Sequence, residues 1–255
     1  MKPTLKSLAQ KTLAVAAVCI ATPVMAFDMG AMTAAERQDF RAEIREYLME
    51  NPEVLMEAIG VLEQRQAANQ EAQDDAMVLS VADDLFKDGN SWEGGNPDGD
   101  ITMVEFVDYR CGYCRKAHGE VAELVKSDGN IRLIVKEFPI LGEGSVLASR
   151  FAIATRQLHG DDGYKAAHDS LINLRSDVNE ASLRKLAKGL GYDADPILAR
   201  MDSTEVSSVI AANRALGQQL QINGTPTFVV QNEMIRGYVP LDGMREIVSE
   251  LRNNG

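Results

Sequence analysis

The sequence predicts an α/β domain built on a parallel sheet, preceded by a separate all-α segment. Residues 101–109, ITMVEFVDY, form a run of β-branched, apolar and aromatic residues that is typical of a buried strand. The apolar spacing becomes helical from Gly112 to Val125, and residues 131–139, IRLIVKEFP, form a second apolar run. Strand, helix and strand in this order predict a βαβ unit whose two strands are parallel.

The all-α segment covers residues 33–75. Thr33 is placed to cap a first helix, and Asn51, followed by proline and an acid, is typical of the N-cap of a second helix. Both helices carry an apolar stripe at helical spacing: Phe40, Ile44, Leu48, Leu55, Ile59 and Leu62. Two such short helices cannot bury this stripe alone, so we expect self-association, with packing on the main domain as the alternative. Residues 63–75 are nearly devoid of apolar side chains and predict a polar helical linker.

The regions around the βαβ unit predict turns and further helices. Residues 94–100, GGNPDGD, are typical of a turn. Residues 145–158 and a segment near 163–174 have helical apolar spacing. Three more helices are expected, with their starts at Asn179, Asp195 and Ser203. The chain then predicts a short strand, TFVV, and a last helix.

The first 26 residues predict a secretory signal peptide. Three lysines precede the short apolar run TLAVAAVCIAT, and the residues around Ala26 suit cleavage after that position. The apolar run is shorter than the ~20 residues that a membrane span needs, which disfavours a membrane anchor. We therefore expect a periplasmic protein.

Cleavage would change both the charge and the cysteine count. Removing three lysines takes the net charge from −12 to −15, and removing Cys19 leaves Cys111 and Cys114. A strongly acidic surface disfavours nucleic acid and anionic membranes as partners. A secreted chain stabilised by disulfides carries more cysteines at longer spacings, which argues against a structural disulfide framework here.

The remaining cysteines lie where the first strand becomes a helix. Backbone N–H groups and the dipole at a helix N-terminus stabilise a thiolate, so the pKa of Cys111 is expected to be low. A disulfide from Cys111 to Cys114 closes too small a loop to stabilise a fold strongly. The pair is therefore better suited to thiol exchange than to a structural role.

Metal binding is the alternative interpretation of the Cys pair. A structural zinc site needs two further Cys or His ligands, and His118, His159 and His168 show no paired spacing, so zinc is disfavoured. Cu(I) held by Cys111 and Cys114 stays open, because soft sulfur ligands suit this ion.

Glu105 interrupts the first apolar strand six residues before Cys111. Strand alternation places it on one face with Ile101, Met103 and Val107, where burial should raise the pKa of its carboxyl. Such a group could exchange protons during thiol chemistry. The alternative is a partly exposed acid that pairs with Lys136 on the next strand.

Several stretches together resemble the DsbA family of thioredoxin-fold thiol oxidoreductases. They are VEFVDYRCGYC, KEFPILG, the helical insertion and GTPTFVV. The segment IREYLMENPEVLMEAIGVLEQRQ is similar to the N-terminal domain of suppressor-of-copper-sensitivity C proteins, and more loosely of Com1-like proteins. The resemblance implies an oligomerisation region and linker over residues 27–75. It also implies a thioredoxin-fold domain over residues 76–255, with a helical insertion at about 141–221.

The resemblance also implies roles for individual residues. Cys111 matches the attacking cysteine, Cys114 the resolving cysteine and Pro226 the cis-proline that faces them. Thr225 would tune the site and offer backbone to an extended substrate, and Glu105 falls at the buried acid position.

The residues between the cysteines depart from the Pro-His pair of the strong oxidants. Gly112 and Tyr113 match the pair of the periplasmic isomerase DsbC. Because Tyr113 cannot supply an imidazolium beside the thiolate, we expect a less oxidising pair.

These observations favour a disulfide isomerase or reductase without a cofactor. Its expected partners are disulfide-containing secreted proteins, a membrane thiol reductase or oxidase, and copies of itself, as a trimer or alternatively a dimer. A DsbA-like dithiol oxidase, a copper-tolerance protein that binds Cu(I) and a chaperone-like scaffold are the alternatives.

Overall fold

The computed structural model describes residues 29–254. The predicted signal peptide, with its cleavage after Ala26, lies outside these residues. Among residues 29–254, no helix has both the length and the apolar character that crossing a membrane requires. The chain divides into two compact units, one ending at Val61 and one beginning at Leu62.

The first unit is helical. A short 3-10 helix (Met29–Ala31) precedes α1 (Ala34–Glu50), and α2 (Glu53–Ser80) begins in this unit and continues into the second. Thr33 caps α1 as predicted, in a reciprocal arrangement with the Glu36 side chain. The prediction that Asn51 caps α2 is wrong. Asn51 ends α1, where its backbone and side-chain N–H groups both donate to Tyr47 O.

The second unit is built on a five-stranded mixed sheet in the order β1-β3-β2-β4-β5. Its strands are β1 (Trp92–Gly95), β2 (Ile101–Val107), β3 (Ile131–Glu137), β4 (Thr227–Val230) and β5 (Glu233–Arg236). Strands β2 and β3 are parallel, as predicted, and the other neighbouring pairs are antiparallel. Besides the C-terminal part of α2, the helices of this unit outside the insertion are α3 (Ala82–Phe86), α4 (Gly112–Asp128) and α9 (Leu241–Asn254).

Strand β1 was not predicted, because its glycines were interpreted as part of a turn. Gly94 and Gly95 instead pair with β3 at the edge of the sheet. Gly95 has φ +71°, and a Cβ there would lie 2.3 Å from Ile131 O. Only glycine allows this close approach, because any side chain would collide with the neighbouring strand. Glycine weakens the strand pattern in the sequence, yet the pairing of β1 with β3 requires it.

The helical insertion lies between β3 and β4. It consists of α5 (Glu143–Ile172), α6 (Glu180–Gly189), α7 (Ala194–Met201) and α8 (Thr204–Gln219). Gly160 interrupts α5 with non-helical dihedral angles, which matches the two separate helices predicted for this region. Asn179 and Ser203 are N-caps as predicted, whereas α7 is capped by Asp193, two residues before the predicted start.

Two apolar cores cover the faces of the sheet. Along β2, Ile101, Met103 and Val107 contribute to the core shared with α4 and the helical insertion. Val104 and Phe106 contribute to the other core, which includes residues of α2, α3 and α8. This alternation confirms the predicted faces of β2, and it places Glu105 on the α4 side of the sheet.

Candidate functional site

The turn between β2 and α4 is held by a buried carboxylate, Asp108. Its Oδ1 accepts the backbone N–H of Arg110 at 2.8 Å. Its Oδ2 accepts those of Ile140 and Leu141 at 2.8 and 3.0 Å, and its backbone O accepts the Cys111 N–H at 3.0 Å. Asp108 therefore fixes the position at which Cys111 enters the helix. Sequence reasoning missed this residue, although its place directly after a buried strand was a signal.

Cys111 is the N-cap of α4 and a free thiol. Its Sγ lies 3.4 Å from the backbone N of Cys114 and donates to Thr225 O at 3.0 Å. The Cys114 thiol contributes most to stabilising a negative charge on Cys111, followed by the hydrogen bond with Thr225 and then by the backbone N–H groups at the helix start. Together they lower its pKa to about 5, although burial opposes them.

Cys114 lies one turn into α4 and is fully buried. Its thiol is the proton donor to Cys111, and this hydrogen bond together with burial holds its pKa far above the ordinary range. At neutral pH one thiol of the pair is therefore ionised and the other is neutral. This is the charge distribution that the predicted attacking and resolving roles require.

Thr225 and Pro226 approach the Cys pair from the segment before β4. The peptide bond between them is cis, as expected from the resemblance. Thr225 O lies 3.0 Å from Cys111 Sγ, although the two residues are 114 positions apart in the sequence. Pro226 O accepts the backbone N–H of Gly237 at 3.0 Å, which ties this segment to the end of β5.

The two residues between the cysteines differ in their environments. A side chain at Gly112 would meet no atom within 4 Å, so packing does not require glycine there. Tyr113 is 63% exposed and stacks on Tyr238, with the ring centroids 6.1 Å apart. The Lys116 ammonium lies 4.2 Å from the centre of the Tyr238 ring. An aromatic surface therefore lies beside the Cys pair.

Glu105 is only 3% exposed. Burial, together with the nearby charges of Glu137 and Cys111, raises the pKa of this carboxyl to about 8. The alternative pairing with Lys136 is wrong. Lys136 Nζ donates instead to Asp84 O at 2.8 Å and Asp88 Oδ2 at 2.7 Å. The reason is register, because Lys136 lies opposite Phe106 and so faces the other side of the sheet.

A second buried acid, Glu137, was not predicted from the sequence. Its Oε1 accepts the hydroxyl groups of Tyr109 and Tyr164, both at 2.6 Å, and the Tyr109 hydroxyl also lies 2.9 Å from His168 Nδ1. Burial raises the pKa of Glu137 to about 7. An acid at the end of the apolar run IRLIVKEFP was the available signal. Its partners come from distant parts of the sequence and could not be identified.

A dithiol at a helix N-terminus, in contact with the residue before a cis-proline, on a domain with a mixed sheet, defines a thioredoxin-fold thiol-disulfide oxidoreductase. The chain belongs to the DSBA-like thioredoxin domain family, which it matches over residues 102–249. Residues 36–69 match the N-terminal domain of the copper resistance protein ScsC. The expected resemblance is thereby confirmed for both parts of the chain.

Solved structures support the same assignment. A thioredoxin-like oxidoreductase from Silicibacter pomeroyi DSS-3 is 42% identical, with a TM-score of 0.63 over 67% of this chain and 97% of that one. A linker-deletion variant of Proteus mirabilis ScsC is 25% identical, with a TM-score of 0.66 over 89% of this chain and all of that one. The second similarity extends into the N-terminal helices.

Curated sequences give a similar result over a shorter range. Disulfide bond formation protein D of Bacillus subtilis (strain 168) is 24% identical over 168 residues, which are 61% of this chain and 74% of that protein. The Na(+)/H(+) antiporter NhaA of Herminiimonas arsenicoxydans is 27% identical over 144 residues, or 56% of this chain. The chain spans only 22% of that antiporter's length.

Proposed function

We propose that this protein is a periplasmic disulfide isomerase or reductase that acts on secreted proteins. Cys111 would be the attacking thiolate and Cys114 the resolving thiol. The observation that carries this proposal is the difference between the two thiols. Cys111 has a pKa of about 5, whereas the pKa of Cys114 lies far above the ordinary range. An isomerase must begin with a thiolate that attacks an incorrect disulfide, and Cys111 meets that requirement at neutral pH.

The first step is attack by the Cys111 thiolate on one sulfur of a substrate disulfide. A new S–S bond forms between Cys111 and that sulfur, and the other substrate sulfur leaves as a thiolate. In isomerisation, the released thiolate attacks a different disulfide within the substrate. A substrate thiolate finally attacks the mixed disulfide, which restores the Cys111 thiolate with no net change in oxidation state.

In reduction, Cys114 instead attacks Cys111 Sγ and releases the substrate as a dithiol. Cys114 must lose its proton for this attack, and we assign Glu105 as the group that accepts it. A carboxyl with a pKa of about 8 is mostly protonated at pH 7, so the ionised minority would accept the proton from Cys114, and the protonated form would return it in the reverse step. The disulfide between Cys111 and Cys114 must then be reduced by an external dithiol, for which we propose a membrane thiol reductase.

The substrate chain would bind in an extended form beside Thr225. The aromatic surface of Tyr113 and Tyr238 offers apolar contact next to the nucleophile, which suits unfolded substrates with exposed apolar side chains. A side chain at Gly112 would extend into open space, so no other part of the described residues covers this position beside the Cys pair.

We also propose that residues 27–75 hold several copies together, as a trimer or alternatively a dimer. The support is the exposure of apolar side chains on both helices of the first unit: Phe40, Ile44, Tyr47, Leu55, Met56 and Ile59. Full burial of one such side chain contributes about 1.5–3 kcal/mol. Several Cys pairs held together would let a misfolded substrate engage more than one site.

A DsbA-like oxidase is the second candidate in the same class. A low pKa at Cys111 stabilises the reduced form and thereby makes the disulfide form more oxidising. C-x-x-C motifs of strong oxidants have a pKa of roughly 3.5, and those of reductants have a pKa of about 7. The Cys111 pKa of about 5 lies between these two values. The proposed reductase or isomerase role therefore depends on the partner that sets the redox state.

Cu(I) binding by Cys111 and Cys114 is the candidate from another class. It is favoured by the proximity of two soft sulfur ligands and opposed by the proton that Cys114 holds. Tight Cu(I) binding without turnover on a disulfide substrate would favour it. Turnover without metal would favour the enzyme.

Refolding of a scrambled multi-disulfide protein tests the proposal. The intact chain should restore native pairing, and Cys111→Ser should have no activity. A truncated form should begin at Leu62 rather than at the predicted boundary of 75/76, because Asp74 pairs with Arg236 and Val78 is part of the core. We expect this form to keep dithiol chemistry and lose most isomerisation. An intact protein that only oxidises reduced substrates would contradict the proposal.

A further inference from the structure

We infer that His118, His168 and Asp169 form a binding site for a divalent transition-metal ion such as Zn²⁺ or Co²⁺. Sequence spacing argued against paired histidines, because it considers only neighbours along the chain. Helices α4 and α5 bring these residues together. One ligand atom from each of the three lies within 4.8 Å of the other two, and the two imidazole rings have centroids 5.1 Å apart.

The orientation of His168 prepares one of its nitrogens to bind a metal. The Tyr109 hydroxyl donates its single hydrogen to Glu137 Oε1, so at the 2.9 Å contact with His168 the tyrosine oxygen must accept. Nδ1 of His168 therefore carries the hydrogen, and Nε2 carries a lone pair. Across residues 29–254, no hydrogen bond reaches Nε2, although the side chain is only 4% exposed.

This arrangement matches the surroundings of histidine ligands in metalloproteins. Such a histidine almost always donates its second ring N–H to an oxygen, which fixes the ring and strengthens the ligand. Here the acceptor is Tyr109, which is itself bound to the buried Glu137. The chain from Glu137 through Tyr109 to His168 would serve as the outer shell of the site.

Asp169 supplies a carboxylate oxygen without a hydrogen bond. Its Oδ1 is buried and has no hydrogen-bond partner among residues 29–254, although it lies 3.1 Å from His118 Nε2. Its other oxygen, Oδ2, accepts a hydrogen bond from Lys165 Nζ at 2.5 Å. The lysine thus orients the carboxylate with Oδ1 towards His118, and a bound cation would lie between Oδ1 and His118 Nε2 in place of their direct contact. Asp169 Oδ1 and the two imidazoles thus lie close enough together for one cation to bind all three.

The adjoining space allows an ion to enter. His118 and His168 line a cavity of about 440 Å³, whose walls include Val121, Leu133 and Trp92. Two imidazoles and one carboxylate suit a transition ion better than Ca²⁺ or Mg²⁺, which prefer oxygen ligands alone. Three protein ligands leave the fourth tetrahedral position open to water or to another ligand in the cavity.

The test uses the full chain with Cys111→Ser and Cys114→Ser, so that thiolates cannot bind the ion. Co²⁺ should produce the visible absorption of a tetrahedral site, and a Zn²⁺ titration should give one ion per chain. In this background, His118→Gln and Asp169→Asn should each weaken Zn²⁺ binding by at least the roughly 10–100-fold that loss of an outer-shell partner costs. Both residues are partly exposed, so these variants should fold even if a change at the buried His168 does not.

His159→Gln is the matched control, because His159 stacks on Tyr192 and contributes nothing to the cluster. It should bind Zn²⁺ as tightly as the thiol-free parent. Absence of stoichiometric binding in the parent would overturn the inference. The inference would also fail if the affinity in His118→Gln and Asp169→Asn matched that in His159→Gln.

Discussion

The two compact units of this chain differ in which side chains they expose. The first exposes apolar side chains, whereas the second buries ionisable ones. In the first unit, Ile44 and Ile59 are 42% and 47% exposed, and α1 has no buried residue. In the second unit, Glu105, Lys136 and Glu137 are buried with the apolar cores. The difference shows that the first unit has apolar surface still to bury. The second unit buries these ionisable groups, of which Glu105 and Glu137 have raised pKa values, and Lys136 pairs with Asp88 on the other side of the sheet.

The largest expected effect concerns the thiol pair of the second unit. Cys111→Ser should abolish disulfide exchange, because the remaining thiol of Cys114 is buried and neutral at pH 7. Cys114→Ser should retain attack on substrate, but removing the main stabilising hydrogen bond should raise the Cys111 pKa from about 5 toward its ordinary value of 9.0. Alkylation rates against pH measure both variants. A faster and more acidic thiol at Cys114 would reverse the proposed roles.

The next test addresses the exposed stripe of the first unit. Ile44→Asp with Ile59→Asp should give a monomer and remove most isomerase activity, because a charged side chain cannot be buried in an apolar interface without a large desolvation cost. Dithiol chemistry should persist, since both changes lie outside the second unit. Light scattering reports the mass, and Glu43→Gln with Glu57→Gln, on the same two helices, is the control. An intact protein that is already monomeric at micromolar concentration would contradict the proposed assembly.

Glu105 makes the folded state of the second unit sensitive to pH. Its pKa is about 8 when folded and near 4.5 when unfolded. Between these values the folded protein keeps a proton that the unfolded chain releases, so stability falls as pH rises through this window. The total loss attributable to Glu105 is on the order of 5 kcal/mol.

Glu105→Gln should remove the part of the decrease in unfolding free energy with pH that Glu105 causes. The measurement is the free energy of unfolding of the reduced protein in urea at several values between pH 4.5 and 8. Comparison with the parent protein cancels the contributions of Glu137 and Cys111 to first order. Equal slopes for the parent and the variant would show that Glu105 is ionised in the folded protein.

The smallest effect compares one helix cap in each unit. Asn179→Ala removes the cap of α6 and should lower the stability of the second unit by about 1 kcal/mol. Thr33→Ala removes the cap of α1 and should leave the unfolding midpoint of the second unit unchanged. Calorimetry measures the unfolding midpoints of both variants. Equal shifts of one common transition would show that the two units unfold together.

Local sequence signals predicted most of the fold. The strand boundaries around the Cys pair, the break in α5 and the caps at Thr33, Asn179 and Ser203 all follow from short-range patterns. Strand β1 was missed because glycine suppresses the strand signal. Asn51 was assigned to the wrong helix because an asparagine between two helices can serve either end.

The candidate site was only partly predictable, because much of it depends on contacts between distant segments. The Cys pair and Glu105 are visible in one strand and the turn that follows it. The network of Tyr109, Glu137 and His168 joins three elements, and no pattern within any one of them indicates the others. Asp108 is a similar case, since its partners Ile140 and Leu141 lie beyond β3.

The hydrogen bond from Cys111 to Thr225 O links the ionisation of the thiol to the availability of a backbone acceptor. While the thiol is neutral, its hydrogen occupies this carbonyl oxygen at 3.0 Å. Once the thiol ionises, it no longer donates this hydrogen bond, and the Thr225 carbonyl oxygen is left without that donor. An incoming peptide N–H can satisfy it. If substrate binds at Thr225 as proposed, ionisation of Cys111 would free the backbone acceptor for the substrate and create the attacking thiolate in one step.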